Sequence, residues 1–192
     1  MPRGCRALRP CKVDESAIRW VSPLAVDNYS EYRDEEFLEI IGAGHLAPKL
    51  QEFWPRGGPC WDALARLDGG GCVVVEAKSH IPELYGNGCG AHGGSLSLIR
   101  SSLARTKEWL GVRLDADWLG RLYQSAIRMA CLFFLREIGK VDAFLANVYF
   151  SGDPRFPTRR REWDEGIGAV SEELGIASPV PYTASVFLEA AR

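Results

Sequence analysis

The sequence has no C-x-x-C pair among its six cysteines, at positions 5, 11, 60, 72, 89 and 131, so zinc-ribbon spacing is absent. Cys5 and Cys11 stand without obvious co-ligands and read as thiols. Cys72 and Cys131 lie in apolar runs and read as reduced core residues. No apolar run approaches the ~20 residues of a membrane span. Arg3, Arg6 and Arg9 are not followed by the apolar segment of a secretion signal. A cytoplasmic, reducing compartment and no membrane partner are therefore expected. Bulk positive charge is also missing. Lys plus Arg number 23 against 25 Asp plus Glu, for a net charge of −2, so any contact with nucleic acid must come from a local basic patch. No internal repeat or low-complexity linker divides the chain. With 192 residues, one domain spanning 1–192 is expected, long enough to bury roughly 70% of its unfolded surface.

What is present centres on residues 59–82, PCWDALARLDGGGCVVVEAKSHIP. Two apolar runs, Trp61 to Leu67 and Cys72 to Ala77, flank Asp68-Gly69-Gly70-Gly71, which signals a β-hairpin. Asp62, Glu76 and Lys78 interrupt the apolar character. Glu76 and Lys78 share a strand face because side chains alternate. Pairing Leu67 with Gly71 sets Asp62 opposite Glu76; pairing Asp68 with Cys72 sets it opposite Lys78. Both registers put the three charges on one face, and a shift by one residue would remove Asp62 from it. An even register is expected, with a bulge or a left-handed glycine at the turn.

Charges on so apolar a hairpin need partners or a metal. Two close carboxylates suit Mg²⁺, which completes its shell with water and phosphate. Lys78 would then stabilise developing negative charge or orient an attacking water. The alternative is an exposed hairpin face with a Lys–Glu cross-strand pair.

Elsewhere the pattern is coarser. Ser30 to Ile41 has an acidic first half and an apolar stripe, which predicts a helix capped by Ser30. A second short helix is expected from His45. Residues 85–94, YGNGCGAHGG, hold a formal G-x-G-x-x-G, but Pro82 and several residues separate it from the strand, and no βαβ unit precedes it. A loop beside the site fits better than a dinucleotide fingerprint. Ser95 to Leu110 predicts an amphipathic helix with a basic side of Arg100, Arg105 and Lys107. Asp115 to Ile138 predicts a long buried helix, ended by Gly139, with a polar stripe of Asp117, Arg121, Gln124 and Arg128. Val141 to Phe150 predicts a core strand, Glu162 to Leu174 a helix, and Tyr182 to Ala190 an edge strand. His80 continues the strand face of Glu76 and Lys78 if the strand persists, and Glu83 follows as a further acidic candidate. Arg128 and the Arg159-Arg160-Arg161 triplet are candidate phosphate contacts.

Asp62, thirteen intervening residues, then Glu76-Ala77-Lys78 after a valine run resembles the PD-(D/E)XK nuclease superfamily. The proline of the nominal Pro-Asp pair is displaced by Cys60-Trp61. The resemblance covers roughly residues 30–150. It implies a restriction-endonuclease-like α/β core of αβββαβ order, a mixed sheet flanked by helices, whose first strand is not identifiable: residues 54–60 or a segment further upstream would supply it. Ile18 to Val21 reads as a short strand or a helical turn. The resemblance further implies a Mg²⁺-dependent nuclease, with Mn²⁺ as substitute, acting on nucleic acid, DNA ahead of RNA, in some branches as a homodimer. Asp62, Glu76 and the Ala77 carbonyl would hold the metal, with Glu36 of the first helix as a further ligand. Lys78 and Gln124 would complete the catalytic set, and His80, Arg128 and Arg159 to Arg161 would meet substrate. A catalytically silent binding or regulatory module that keeps the fold is the alternative from another class.

Overall fold

The hairpin closes in the first of the two registers. The computed structural model describes residues 18–176 and 179–190; the N-terminal arginines, Cys5 and Cys11 lie outside them. Strand β2 (Ala63–Leu67) pairs antiparallel with β3 (Cys72–Lys78), Ala63 with Val75 and Arg66 with Cys72, so Asp62 falls level with Glu76. The turn is locked by Leu67 N–H donating to the Gly71 carbonyl at 3.1 Å and Gly70 N–H to the Leu67 carbonyl at 3.0 Å. Gly71 is required twice: its φ is +110°, and a Cβ there would lie 2.4 Å from the Asp142 carbonyl oxygen.

Strand β3 is the hub of a five-stranded mixed sheet of order β1-β2-β3-β4-β5. β1 (Ile18–Ser22) covers the free edge of β2, antiparallel, with Ile18 against Leu67. On the other side β4 (Ala143–Ser151) runs parallel to β3, and β5 (Thr183–Glu189) parallel to β4. The valine run makes both faces of β3 apolar, as a central strand requires. Cys72 and Val74 join the main core, while Val73 and Val75 pack with Ala65 on the opposite face.

The chain is therefore α/β, a mixed sheet flanked by helices, but its order differs from αβββαβ. Among the described residues the first helices, α1 (Asp34–Ile41) and α2 (Ala47–Phe53), fall between the first and second strands. The upstream segment supplies β1, and residues 54–60 form no strand. Ser30 does not cap α1; its hydroxyl donates to the Asp27 carbonyl, and the helix starts four residues later.

Helix α3 (Gly93–Leu110) follows β3 and buries Ile99 and Leu103. Lys107 departs from the expected basic side. It is buried, and its ammonium donates to the carbonyls of Leu114 (2.9 Å) and Ala116 (2.6 Å).

The long helix expected from residue 115 is a correction. Helix α4 runs Tyr123–Phe133 and passes into a π-helical turn, Phe134–Ile138. Residues 115–122 are turns. Asp117 draws the chain out of the helix by accepting the N–H groups of Leu119 (2.9 Å) and Gly120 (3.0 Å). Backbone groups that a helix would use internally go to the glycine-rich segment instead: Cys89 N–H donates to Leu119 and Gly86 N–H to Arg121. Trp118 and Leu122 are buried as loop residues, which is why the pattern read as helix. Gly139 is not a left-handed cap; it keeps right-handed helical φ and ψ, and a Cβ would meet Leu46 and the Leu135 carbonyl.

Helix α5 (Arg160–Leu174) links β4 to β5 and packs against the turn Ile81–Leu84. Among the described residues no helix is long and apolar enough to cross a membrane.

Candidate active site

Asp62, Glu76 and Lys78 meet at one end of the sheet, where β3 emerges between β2 and β4. All three line an open cleft of about 540 Å³, with Gln124 and Arg128 from α4 as the facing wall. Glu76 is 6% exposed. A carboxylate that deep needs compensation, and it has two cations. Lys78 Nζ donates to Oε1 at 2.5 Å, and Arg128 Nε donates to Oε2 at 2.6 Å. Lys78 also reaches Gln124 Oε1 at 3.5 Å, the outer limit of a hydrogen bond.

Arg128 is therefore not free in the cleft. Besides Glu76 it donates to the Cys60 carbonyl at 3.0 Å and lies 5.1 Å over the Trp61 ring. It joins α4 to the loop segment before Asp62. The i, i+4 spacing of Gln124 and Arg128 puts both on the helix face over the sheet. The other half of the expected stripe is elsewhere: Arg121 pairs with Glu173 at 2.9 Å.

Asp62 differs. It is half-buried, and its Oδ2 accepts the Ala77 N–H at 2.7 Å. Burial raises its pKa above the ordinary carboxylate value, and the negative charges of Glu76 and Glu31 push the same way against the Ala77 hydrogen bond and Arg128.

Glu31 is a residue the sequence reading missed. It lines the cleft, while Glu36, the expected helix ligand, does not. The reason is local: the bridge between Tyr32 and Trp61 carries the segment just before α1 past Asp62, whereas Glu36 sits on an exposed helix face. His80 lies at the cleft rim beyond the end of β3. Its Nδ1 is 2.9 Å from Ser79 Oγ and 3.4 Å from Glu83, and its ring stacks at 4.5 Å on Phe156, which is 53% exposed. Glu83 accepts the Ser79 N–H at 2.6 Å. Arg159, Arg160 and Arg161 do not line the cleft. Arg160 pairs with Asp164 and Arg161 with Glu165, each one helical turn on.

The donor set suits a hard divalent cation in type. Asp62 and Glu76 are level across the hairpin, face one cleft, and carry negative charge that burial leaves partly uncompensated at Asp62. Both Glu76 oxygens are engaged by cations, so binding there would draw Lys78 or Arg128 aside. Among the described residues no cluster of three His, Cys, Asp or Glu is drawn close enough to enclose a metal by itself; water or phosphate would have to complete the shell. No family model matches the chain, and neither a curated protein nor a solved structure does.

Proposed function

We propose that the protein is a Mg²⁺-dependent phosphodiesterase acting on nucleic acid, built on a restriction-endonuclease-like core. The observation that carries this reading is Lys78. Its ammonium stands at the end of a central strand, beside Glu76, within reach of Gln124 and open to a cleft that Asp62 and Glu31 also face.

In this reading Asp62, Glu76 and the Ala77 carbonyl hold the cation, which when bound lowers the pKa of water and neutralises phosphate charge. Lys78 places its positive charge where negative charge builds on the phosphate, and Gln124 holds the ammonium in that direction. Arg128 holds the Glu76 carboxylate in position. The stacked pair of His80 and exposed Phe156 offers an aromatic face at the rim on which a base can lie. The arginines at the start of α5 attract the polyanion at longer range.

The test is cleavage of labelled single- and double-stranded DNA and of RNA with Mg²⁺ or Mn²⁺, wild type beside Lys78→Ala purified identically. Wild type is expected to cut at least one substrate, and the variant to lose roughly 10²–10³ in rate. Equal activity in both would assign the cleavage to another site or a contaminant.

One observation favours a second reading, a silent binding or regulatory module. Glu76 is already satisfied by Lys78 and Arg128 without any added ion. Titration of Mn²⁺ against wild type and Asp62→Ala separates the two: metal binding lost in the variant supports the enzyme, and none in either supports the module.

A further inference from the structure

The helix-covered face of the sheet carries one polar row. Strand register aligns Glu76 with Asn147 and Asn147 with Ser185, and the hairpin continues the row to Asp62. The neighbouring rows are largely apolar, Val74–Leu145–Thr183 on one side and Lys78–Tyr149–Phe187 on the other. On β4 this places Asn147 between Leu145 and Tyr149, both buried. Asn147 itself is only partly buried, so its carboxamide is open to the space over the sheet. Among the described residues neither the Asn147 amide nor the Tyr149 hydroxyl is a sealed-off unpartnered group, so both are available to a ligand in the space they face.

Both groups line a pocket of about 210 Å³ between the sheet, α4 and α5. It shares Glu76, Lys78, Glu83, Gln124 and Arg128 with the open cleft, so it is the inward continuation of the site. Its remaining wall is mainly apolar, with Leu84, Met129, Ile167 and Val170. The volume lies below the roughly 300–1,000 Å³ of sites for drug-sized molecules, and suits one ring system. The Tyr149 phenol is an ordinary hydroxyl donor and acceptor.

Behind the charged groups it shares with the cleft, a mainly apolar slot that adds the Asn147 carboxamide and the Tyr149 phenol has the chemistry that reads a heterocyclic base. The amide presents a donor and an acceptor side by side to the base edge, and the apolar walls take the ring faces. We infer that this pocket receives one unstacked nucleobase, that of the nucleotide whose phosphate lies at Lys78, and that Asn147 reads its edge. The inference rests on the nucleic-acid reading of the cleft and narrows it. A base inside a stacked duplex does not reach a slot behind the cleft, so in this inference the substrate is single-stranded or gives up one nucleotide from the stack.

The test is direct binding to the full chain by calorimetry in EDTA, with deoxyribo- and ribonucleoside monophosphates and with base-free deoxyribose phosphate as probes. At least one nucleotide is expected to bind about tenfold or more tightly than the base-free probe. Asn147→Leu, and Ser171→Phe, which fills the pocket from α5, are expected to erase that difference. Asn147→Asp is expected to change which base is preferred, an effect a purely structural residue would not produce. If nucleotides bind no better than sugar phosphate, or if the preference survives both Asn147→Leu and Ser171→Phe, the base pocket is overturned, whatever the cleavage assay gives. Base-dependent binding in a wild type that cuts nothing upholds the pocket and removes the nuclease reading alone.

Discussion

Two carboxylates stand level across the hairpin, and their surroundings treat them oppositely. On the β3 side Glu76 is almost fully buried and clamped by Lys78 and Arg128. On the β2 side the Asp62 carboxylate has, among the described residues, only the Ala77 N–H as a direct partner, and burial pushes its pKa up. Glu76 is thus a joint of the fold as well as a site residue, because through Arg128 it ties β3 to α4 and to the Cys60 carbonyl. Asp62 contributes little to the fold in its ionised form, and under the proposed reading it is where an added cation would relieve the most unfavourable charge. One half of the pair is held for structure, the other is left poised.

The comparison breaks first at Arg128. Arg128→Ala leaves Glu76 with one cation and empties the space over Trp61, and it is expected to lower unfolding free energy by roughly 3 kcal/mol in urea melts. A loss under about 1 kcal/mol would mean that Lys78 alone compensates Glu76 and that the clamp is not a joint.

Asp62→Asn is expected to do the opposite. A raised pKa means the folded state takes up a proton more readily than the unfolded chain, so stability falls as pH rises from the ordinary value of 3.8 through the higher folded value. Above both values the ionised carboxylate is a destabilising group. The amide, which still accepts the Ala77 N–H, should therefore raise Tm near pH 7, and the gain should vanish at pH values below the carboxylate range. A lower Tm at neutral pH would show that Asp62 is compensated after all. Mg²⁺ or Mn²⁺ should raise the Tm of wild type and not that of the variant.

The smallest effect belongs to the other arginines. Arg161→Ala breaks only an exposed pair one helical turn long, and no resolvable change in Tm is expected, whereas Arg160→Ala also removes a guanidinium 3.5 Å over the Phe187 ring and is expected to lower Tm slightly. Their contrast with Arg128 separates a buried charge that holds the fold from exposed charges on which the fold depends little.

Legibility followed the range of the forces. The hairpin, the parity that puts Asp62, Glu76 and Lys78 on one face, and the glycine turn come from alternation and turn closure within about fifteen residues, local rules that leave a local mark. Helix α3, strand β4 and strand β5 carried similar marks. The stretch 115–122 misled because burial, not helix, spaced its apolar residues: Trp118 is anchored by its indole N–H to the Leu174 carbonyl at 2.9 Å, a partner far along the chain. Glu36 looked the better acidic ligand because it sits on a helix, but the bridge from Tyr32 to Trp61 carries Glu31 to the cleft. One signal was available and unused: Asn147 is the single amide inside the apolar run of β4.

By itself the sequence determined an α/β chain with a charged hairpin whose three side chains must share a face, since a two-residue period admits no other outcome for an even register. The tertiary structure alone decided how those charges are used. Strand order set Asn147 and Ser185 in line with Glu76, α4 brought Arg128 down onto Glu76 and left Asp62 without a direct cation, and α5 closed the pocket behind them. Each of these depends on the alignment of segments dozens of residues apart, which burial of the common core enforces and local pattern does not record.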